Sequence, residues 1–120
     1  NTQSQVFANE STIDQLGNSN IAEVTQFDDE QTSSILQSTS GNTAIVLQGE
    51  SQVGTDLTFN NNSVITQGTG DGNSATVTQT GINGESDVDQ QGAMHTASLD
   101  QSGDTNTSTI GQLGNGNNAA

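Results

Sequence analysis

Glutamine residues recur in this chain at a spacing that suits hydrogen bonding between side chains. Two runs of four glutamines are each spaced 11 residues apart, namely Gln15, Gln26, Gln37 and Gln48, then Gln79, Gln90, Gln101 and Gln112. Each primary amide carries one acceptor oxygen and two N–H donors, so identical amides stacked along an axis bond to one another in a ladder. The spacing therefore predicts a repeat that amide groups hold together.

Residues that could support catalysis or specific metal binding are few. The chain has one histidine, His95, and no cysteine, so neither a nucleophile–base pair nor a thiolate metal site is expected. His95 falls where other copies of the repeat carry Asn, and we interpret it as a substitute in the ladder rather than a ligand. We predict no enzyme and no cofactor, with non-specific divalent cations as the only ions expected at the acidic surface.

The residues before each glutamine follow one pattern. In most arms Asn stands six positions before the glutamine, Ala or Ser four before, and Val, Ile or Leu two before, as in Asn42, Ala44, Val46 and Gln48. These positions share one parity, so in a β-strand they face the same side. A short turn, often with glycine, follows each glutamine. The pattern predicts an arm of one strand and one turn.

The pattern assigns residues to two kinds of column. The predicted arms end near Gln15, Gln26, Gln37, Gln48, Phe59, Gln67, Gln79, Gln90, Gln101 and Gln112. The predicted structural amide ladder comprises Asn20, Gln26, Asn42, Gln48, Asn61, Gln67, Asn73, Gln79, Gln90, Gln101, Asn106 and Gln112. The predicted apolar core column comprises Ile13, Val24, Ile35, Val46, Leu57, Ile65, Val77, Val88, Leu99 and Ile110.

Two arms and two turns close one rung of the predicted fold. We predict an all-β, cross-β architecture over a single domain, 1–120: a two-sheet β-solenoid of about five rungs of 22 residues, stacked about 4.8 Å apart. Gln48 and Gln67 are 19 residues apart rather than 22. The best alignment there places Leu57 in the apolar column and Phe59 at the glutamine position, so we expect an irregular third rung.

Composition excludes several classes of function. Only 27% of residues are hydrophobic, and there is no Lys or Arg against 14 acidic residues. A net charge of −14 cannot neutralise nucleic-acid phosphates or bind an anionic membrane surface. The longest apolar runs are too short to span a bilayer, so no membrane insertion is predicted. The repulsion between carboxylates predicts that acid, salt or divalent cations speed self-assembly; the alternative is that the carboxylates are solvated surface groups that slow aggregation.

The edges and one outer face suggest self-association. Neither end shows a recognisable cap, so the open edges are expected to template further copies into an open head-to-tail homopolymer. Leu36, Ile45 and Leu47 would point outward from their strands. They predict either a lateral contact between protofilaments or a segment that is merely aggregation-prone.

The arms resemble the curlin repeat of curli fibres. The arm from Gln15 to Gln26 and the arm from Gln101 to Gln112 carry the resemblance most clearly, and it extends over almost the whole chain. It implies a secreted amyloid fibre subunit of the major-subunit type at the cell surface, serving in biofilm matrix, adhesion and aggregation. It further implies a nucleator subunit and an outer-membrane secretion pore as partners. The start at Asn1 fits a secreted protein whose signal peptide was removed, or a trimmed chain.

Three alternative functions remain open at this point. A repetitive β-solenoid stalk or binding module of a surface adhesin would have a similar sequence. An ice-binding solenoid would display a column of outward threonines, whereas outward pairs such as Ile45 with Leu47 and Asp87 with Asp89 break such a column. A calcium-binding solenoid would repeat Gly-Gly-x-Gly-x-Asp, of which Gly70-Asp71-Gly72 is only a fragment.

Overall fold

The computed structural model describes residues 8–27, 30–49 and 60–120, and all of their regular secondary structure is β-strand. The strands are β1 (Glu10–Gln15), β2 (Ile21–Gln26), β3 (Thr32–Gln37), β4 (Thr43–Gln48), β5 (Asn62–Gln67), β6 (Ser74–Thr80), β7 (Glu85–Ala93), β8 (Thr96–Ser102), β9 (Thr107–Asn115) and β10 (Asn118–Ala119). Alternating inward and outward side chains, with a turn after each glutamine, favour strands over helices throughout.

The strands form two parallel five-stranded sheets. The odd sheet has the order β1-β3-β5-β7-β9, and the even sheet has the order β10-β8-β6-β4-β2. Consecutive strands therefore lie in opposite sheets, and each strand pairs with the strand two further along the chain. From β1 to β9 the chain completes about four turns. The predicted all-β, two-sheet β-solenoid is confirmed.

The register places like residues on like. In the odd sheet Ser33 pairs with Ser63 and Gln37 with Gln67. In the even sheet Ala44 pairs with Ala75. Because a shift of one residue would turn every inward side chain outward, this register is strongly specified by the pattern.

The irregular part of the repeat lies between β4 and β5. Gln37 pairs with Gln67, a separation of 30 residues rather than the 22 between Gln15 and Gln37. β5 thus stacks directly on β3, and β6 on β4. The predicted arm with Leu57 and Phe59 lies outside the described residues. The expected irregular third rung falls on these residues, and the described ladders pass from β3 to β5 and from β4 to β6 without a break.

The interior between the sheets is narrow and filled by side chains. Its apolar members pack across from one another and are almost fully buried: Ile35, Ala44, Val46, Ile65, Ala75, Val77, Val88, Ala97 and Leu99. A serine column lines the odd sheet and an alanine column lines the even sheet. The hydroxyls of Ser33, Ser63 and Ser86 are buried without a hydrogen-bond partner. Small side chains let the sheets approach closely, so modest apolar area suffices for a continuous core.

The turns share one special backbone position. The residue four after the glutamine has a positive φ in Ser19 (59°), Gly41 (67°), Met94 (59°) and Gly116 (70°). This left-handed conformation strains residues other than glycine, at a cost of roughly 1–2 kcal/mol. Its recurrence shows that the rung-to-rung register fixes the turn even where the sequence does not supply glycine.

Candidate functional site

The glutamines of the odd sheet form a continuous hydrogen-bonded ladder. Gln15 Nε2 donates to Gln37 Oε1 at 2.7 Å, and Gln37 Nε2 donates to Gln67 Oε1 at 2.9 Å. Gln67 in turn donates to Gln90 at 2.9 Å, and Gln90 to Gln112 at 2.8 Å. Every bond runs in the same direction along the solenoid axis.

The even sheet carries a second ladder with the same polarity. Gln26 Nε2 donates to Gln48 Oε1 at 2.9 Å, Gln48 to Gln79 at 3.0 Å, and Gln79 to Gln101 at 2.9 Å. Each rung therefore presents amide oxygens toward the β1–β2 side of the solenoid and amide N–H groups toward the β9 side. This gives the molecule a chemical polarity along its axis.

In every ladder glutamine from Gln26 onward, Nε2 donates to a backbone oxygen of the opposite sheet. Gln67 Nε2 donates to the backbone oxygen of Thr43 at 2.9 Å. Gln90 Nε2 donates to Ser74 O at 3.0 Å, and Gln37 Nε2 to Ile21 O at 2.9 Å. One amide thus links neighbouring rungs and the two sheets. The isosteric glutamate would lose both N–H donors, which explains why the position requires an amide rather than any polar group of that size.

The asparagine column bonds in a different manner from the amide-to-amide contact that the sequence predicted. The backbone N–H of Asn73 donates to Asn42 Oδ1 at 2.9 Å, and that of Asn42 donates to Asn20 Oδ1 at 3.0 Å. The Nδ2 groups turn toward the loops, where Asn73 Nδ2 donates to Gly92 O at 2.9 Å. The shorter asparagine side chain reaches the backbone of the next rung, whereas glutamine reaches the next amide.

His95 occupies this asparagine column and is fully buried. Its backbone N–H donates to Asn73 Oδ1 at 3.0 Å, and its Nδ1 accepts the backbone N–H of Asn117 at 3.2 Å. Nε2 lies 3.3 Å from Gln91 O, which fits the tautomer that carries its proton on Nε2. The ring reproduces both the acceptor and the loop-directed donor of an asparagine.

The predicted ladder and core residues are buried in the middle rungs and more exposed toward the end rungs. Gln79 and Gln90 are fully buried, whereas Asn20, Gln26, Val24, Asn106 and Ile110 are partly buried. In the odd sheet Gly84 takes the column position between Asn61 and Asn106, where it has no side-chain oxygen to accept the next backbone N–H. Its backbone N–H still donates to Asn61 Oδ1 at 2.8 Å.

Among the described residues, no strand pairs with the outer edge of β1. All six residues of β1 are exposed, and Ile13, which belongs to the interior apolar column, is 45% exposed, compared with 1% for Ile35 on the neighbouring strand. The backbone N–H of Leu16 donates to the carbonyl oxygen of Gln37 in β3, and that of Glu10 donates to the carbonyl oxygen of Gln31, the residue before β3. Because alternate residues of a strand face opposite neighbours, the N–H groups of Ser11, Ile13 and Gln15 face the open edge. Such an edge can pair with another strand.

The acidic residues of the outer faces are separated by neutral residues along the axis. No carboxylate in a described strand pairs with another carboxylate across the ladder. The pairs are Glu10 with Thr32, Asp14 with Leu36, Glu23 with Ile45, Glu85 with Asn62 and Thr107, Asp87 with Val64 and Thr109, Asp89 with Thr66 and Gly111, and Asp100 with Thr78. Where two carboxylates share a column, as Glu10 and Glu85 or Asp14 and Asp89 do, they are three rung spacings, or roughly 14 Å, apart, which exceeds one Debye length in physiological salt.

The described ranges contain no cluster of three or more candidate metal ligands. They also include no helix long and apolar enough to cross a membrane. One shallow depression of about 230 Å³ opens on the outer face of the odd sheet, beside Asp89, Gly111 and Leu113. Along the outer face of the even sheet, one column reads Glu23, Ile45, Thr76 and Ser98, so the described residues do not form the threonine array of an ice-binding surface.

The fold and ladders define the class of this protein: a repeat β-solenoid with amide ladders and a strand edge left open. A family model described as the curlin associated repeat matches residues 51–81, 83–114 and 95–120, which is more than half of the chain. The chain belongs to the curlin family. Curlin repeats are those of structural fibre subunits rather than enzymes. Comparison with curated proteins and with solved structures gives no match.

Proposed function

We propose that this protein is the structural subunit of a secreted extracellular amyloid fibre, which grows head-to-tail by strand stacking. The observation that carries the proposal is the uniform polarity of the two glutamine ladders. Among the described residues, none donates to Gln15 Oε1 on the β1 side, while Gln112 Nε2 makes only one bond, to Thr96 O at 2.9 Å. An acceptor on one side and a donor on the other suit the joining of identical copies.

The packing of the interior supports the same function. Interior side chains in the middle rungs are covered above and below, whereas Ile13 is covered by β3 alone. A copy that stacked on β1 would cover Ile13 and pair the outward-facing backbone groups of the edge. The gain repeats with every added copy, because the same surfaces are regenerated at the new end. This is the open, non-closing type of assembly that produces filaments.

The role in the cell follows from the family rather than from the geometry. We propose that the fibre lies at the cell surface and serves biofilm matrix formation, surface adhesion and aggregation. A nucleator subunit and an outer-membrane secretion pore are the proposed partners. The acidic outer faces would retain only non-specific divalent cations, and no cofactor is needed for a fibre of this kind.

Blocking the open edge of β1 tests the proposal. Ser11→Pro removes an N–H that faces the edge and leaves the inward bonds to β3 in place, since proline cannot donate to a ladder. Ser11→Ala, which keeps the N–H, is the matched control. We expect the wild type and Ser11→Ala to form thioflavin-positive fibres visible by electron microscopy. We expect Ser11→Pro to keep its β-sheet circular dichroism, lose elongation and inhibit wild-type growth at substoichiometric ratios.

The same experiment separates the fibre from the stalk of a larger adhesin. A stalk needs the solenoid but has no need of complementary edges. If the wild-type chain stays monomeric at high concentration, or if Ser11→Pro elongates as fast as Ser11→Ala, growth at this edge is wrong.

A further inference from the structure

Two turns of the solenoid share almost the same sequence although they are four rungs apart. The turn after β1 reads Gln15-Leu16-Gly17-Asn18-Ser19-Asn20, and the segment of β9 that leads into β10 reads Gln112-Leu113-Gly114-Asn115-Gly116-Asn117. They differ at one position only. In the rungs between them the leucine position is taken by Ser38, Gly68 and Gln91.

The backbone conformation and the exposure of these two segments also agree. Gly17 and Gly114 have φ values of 93° and 100°, and Ser19 and Gly116 have 59° and 70°. Leu16 is 56% exposed and Leu113 is 79% exposed, which places both among the exposed large hydrophobic residues of the described chain. Four rung steps separate them by roughly 19 Å, so they have no contact within one copy.

We propose that β9 of one copy pairs in register with β1 of the next copy, so that Leu113 packs against Leu16 of the next copy at each junction. The proposal rests on the proposed fibre function and names the surfaces that meet. Within the chain, pairing of the odd strands always places glutamine on glutamine. The same rule sets Gln112 on Gln15, Ile110 on Ile13 and Leu113 on Leu16 of the next copy.

Hydrogen-bond polarity and charge both fit this register. Gln112 has an N–H left for the axis, and Gln15 Oε1 is the acceptor that the polarity requires. Asp14 of the next copy would lie on Gly111, and Glu10 on Thr107, so no carboxylate meets a carboxylate at the junction. Gly111 has open space around its Cβ position, so it leaves room for the side chain of Asp14 of the next copy. A shift by one residue would set inward side chains on outward ones.

The leucines give the junction a feature that interior rungs lack. Interior rungs pair only with other rungs of the same chain, and they carry Ser38, Gly68 and Gln91 at this position. Leu16 and Leu113 would shield each other from water only in the stacked state. The pair thus favours the junction over pairing of β9 with other exposed strands, because serine, glycine or glutamine at the same position offers no comparable apolar surface.

Single introduced cysteines test the junction, because the sequence contains no cysteine of its own. Fibres are grown from equimolar Leu16→Cys and Leu113→Cys chains under reducing conditions, then oxidised, dissolved in denaturant and sized without reductant. Neighbouring Cα atoms about 5 Å apart allow a disulfide. The matched control mixes Leu113→Cys with Ser38→Cys, whose turn position would lie two rungs from Leu113, roughly 10 Å away, which is too far to bridge.

We expect the 16–113 mixture to give abundant covalent dimer and the 38–113 mixture to give little. Leu113→Ser should raise the monomer concentration in equilibrium with fibres about threefold to tenfold, since part of one leucine's transfer free energy is lost. Met94→Ser, at an interior turn that is also exposed, should leave that concentration unchanged. Fibres in which the 38–113 pair cross-links instead, or in which Leu113→Ser and Met94→Ser behave alike, overturn the junction but leave the fibre function standing. If the unaltered chain forms no fibres, both are overturned.

Discussion

The glutamine ladder makes a quantitative prediction for a single isosteric change, Gln67→Glu. Gln67 is fully buried and makes three bonds: it accepts from Gln37, donates to Gln90 and donates to Thr43 O, each at 2.9 Å. A carboxylate keeps the first bond and cannot make the other two. It also buries a negative charge in a chain that has no Lys or Arg.

The expected loss of stability follows from these contacts. The buried Gln90 Oε1 and the partly buried Thr43 O lose these donors and then face a carboxylate oxygen. Leaving Gln90 Oε1 unsatisfied costs about 1–3 kcal/mol and losing the hydrogen bond to Thr43 O costs about 1 kcal/mol, so the loss is about 2–4 kcal/mol before the charge is counted. With a urea dependence of about 2 kcal/mol per molar for a small protein, a loss of about 4 kcal/mol lowers the unfolding midpoint by about 2 M.

Urea unfolding of the soluble chain, followed by circular dichroism, measures this shift. Asn83→Asp is the control, because it adds the same charge at a turn position outside the ladders, where the left-handed backbone (φ 57°) tolerates Asp. Burial raises the pKa of the carboxyl introduced by Gln67→Glu above its unfolded value of about 4.3. The penalty should therefore be smallest below that pH, where the acid is protonated and regains one donor, and should grow as the pH rises.

Equal unfolding midpoints for Gln67→Glu and Asn83→Asp at neutral pH would refute the reasoning. A penalty that grew as the pH fell would contradict the assigned direction of the bonds.

Three further predictions follow from neighbouring features. Ser63→Ala should stabilise the soluble chain by about 1 kcal/mol in urea unfolding, because it removes a buried hydroxyl that has no partner; a clear loss of stability would contradict this. His95→Asn should keep the wild-type midpoint, whereas His95→Leu should lose about 1 kcal/mol, because leucine cannot accept the N–H of Asn117; equal effects would show that the acceptor is dispensable. Fibre growth, timed by thioflavin fluorescence, should be faster at about 0.5 M salt than at about 0.02 M, since added salt shortens the Debye length; growth rates that do not depend on salt would show that charge does not limit assembly.

Much of the fold could be predicted from spacing alone. A constant distance of 11 residues between Gln26, Gln37 and Gln48, with inward residues of one parity, leaves a strand and a turn as the repeating unit. The stacking of equivalent residues then follows, because only that arrangement gives each buried amide a partner. The two-sheet solenoid was therefore predictable, whereas the bonding of the asparagine column depends on side-chain reach and was not.

The rung order around β5 could also have been found in the sequence. Serine occupies the small inward position in odd strands, as in Ser33 and Ser63, and alanine occupies it in even strands, as in Ala44 and Ala75. Treating the segment ending at Phe59 as one arm would place Ser63 in the alanine column. The spacing of the glutamines by itself does not assign Ser63 to a sheet, but the alternation of serine and alanine does.

Fibre diffraction from aligned fibres of the purified chain tests the central claim most directly. If copies continue the solenoid by stacking, the pattern will show a sharp meridional reflection at about 4.8 Å, because the strands then run perpendicular to the fibre axis at the spacing of paired strands. A chain that stays monomeric at high concentration, or fibres whose reflection at about 4.8 Å lies off the meridian, would contradict stacking along the solenoid axis.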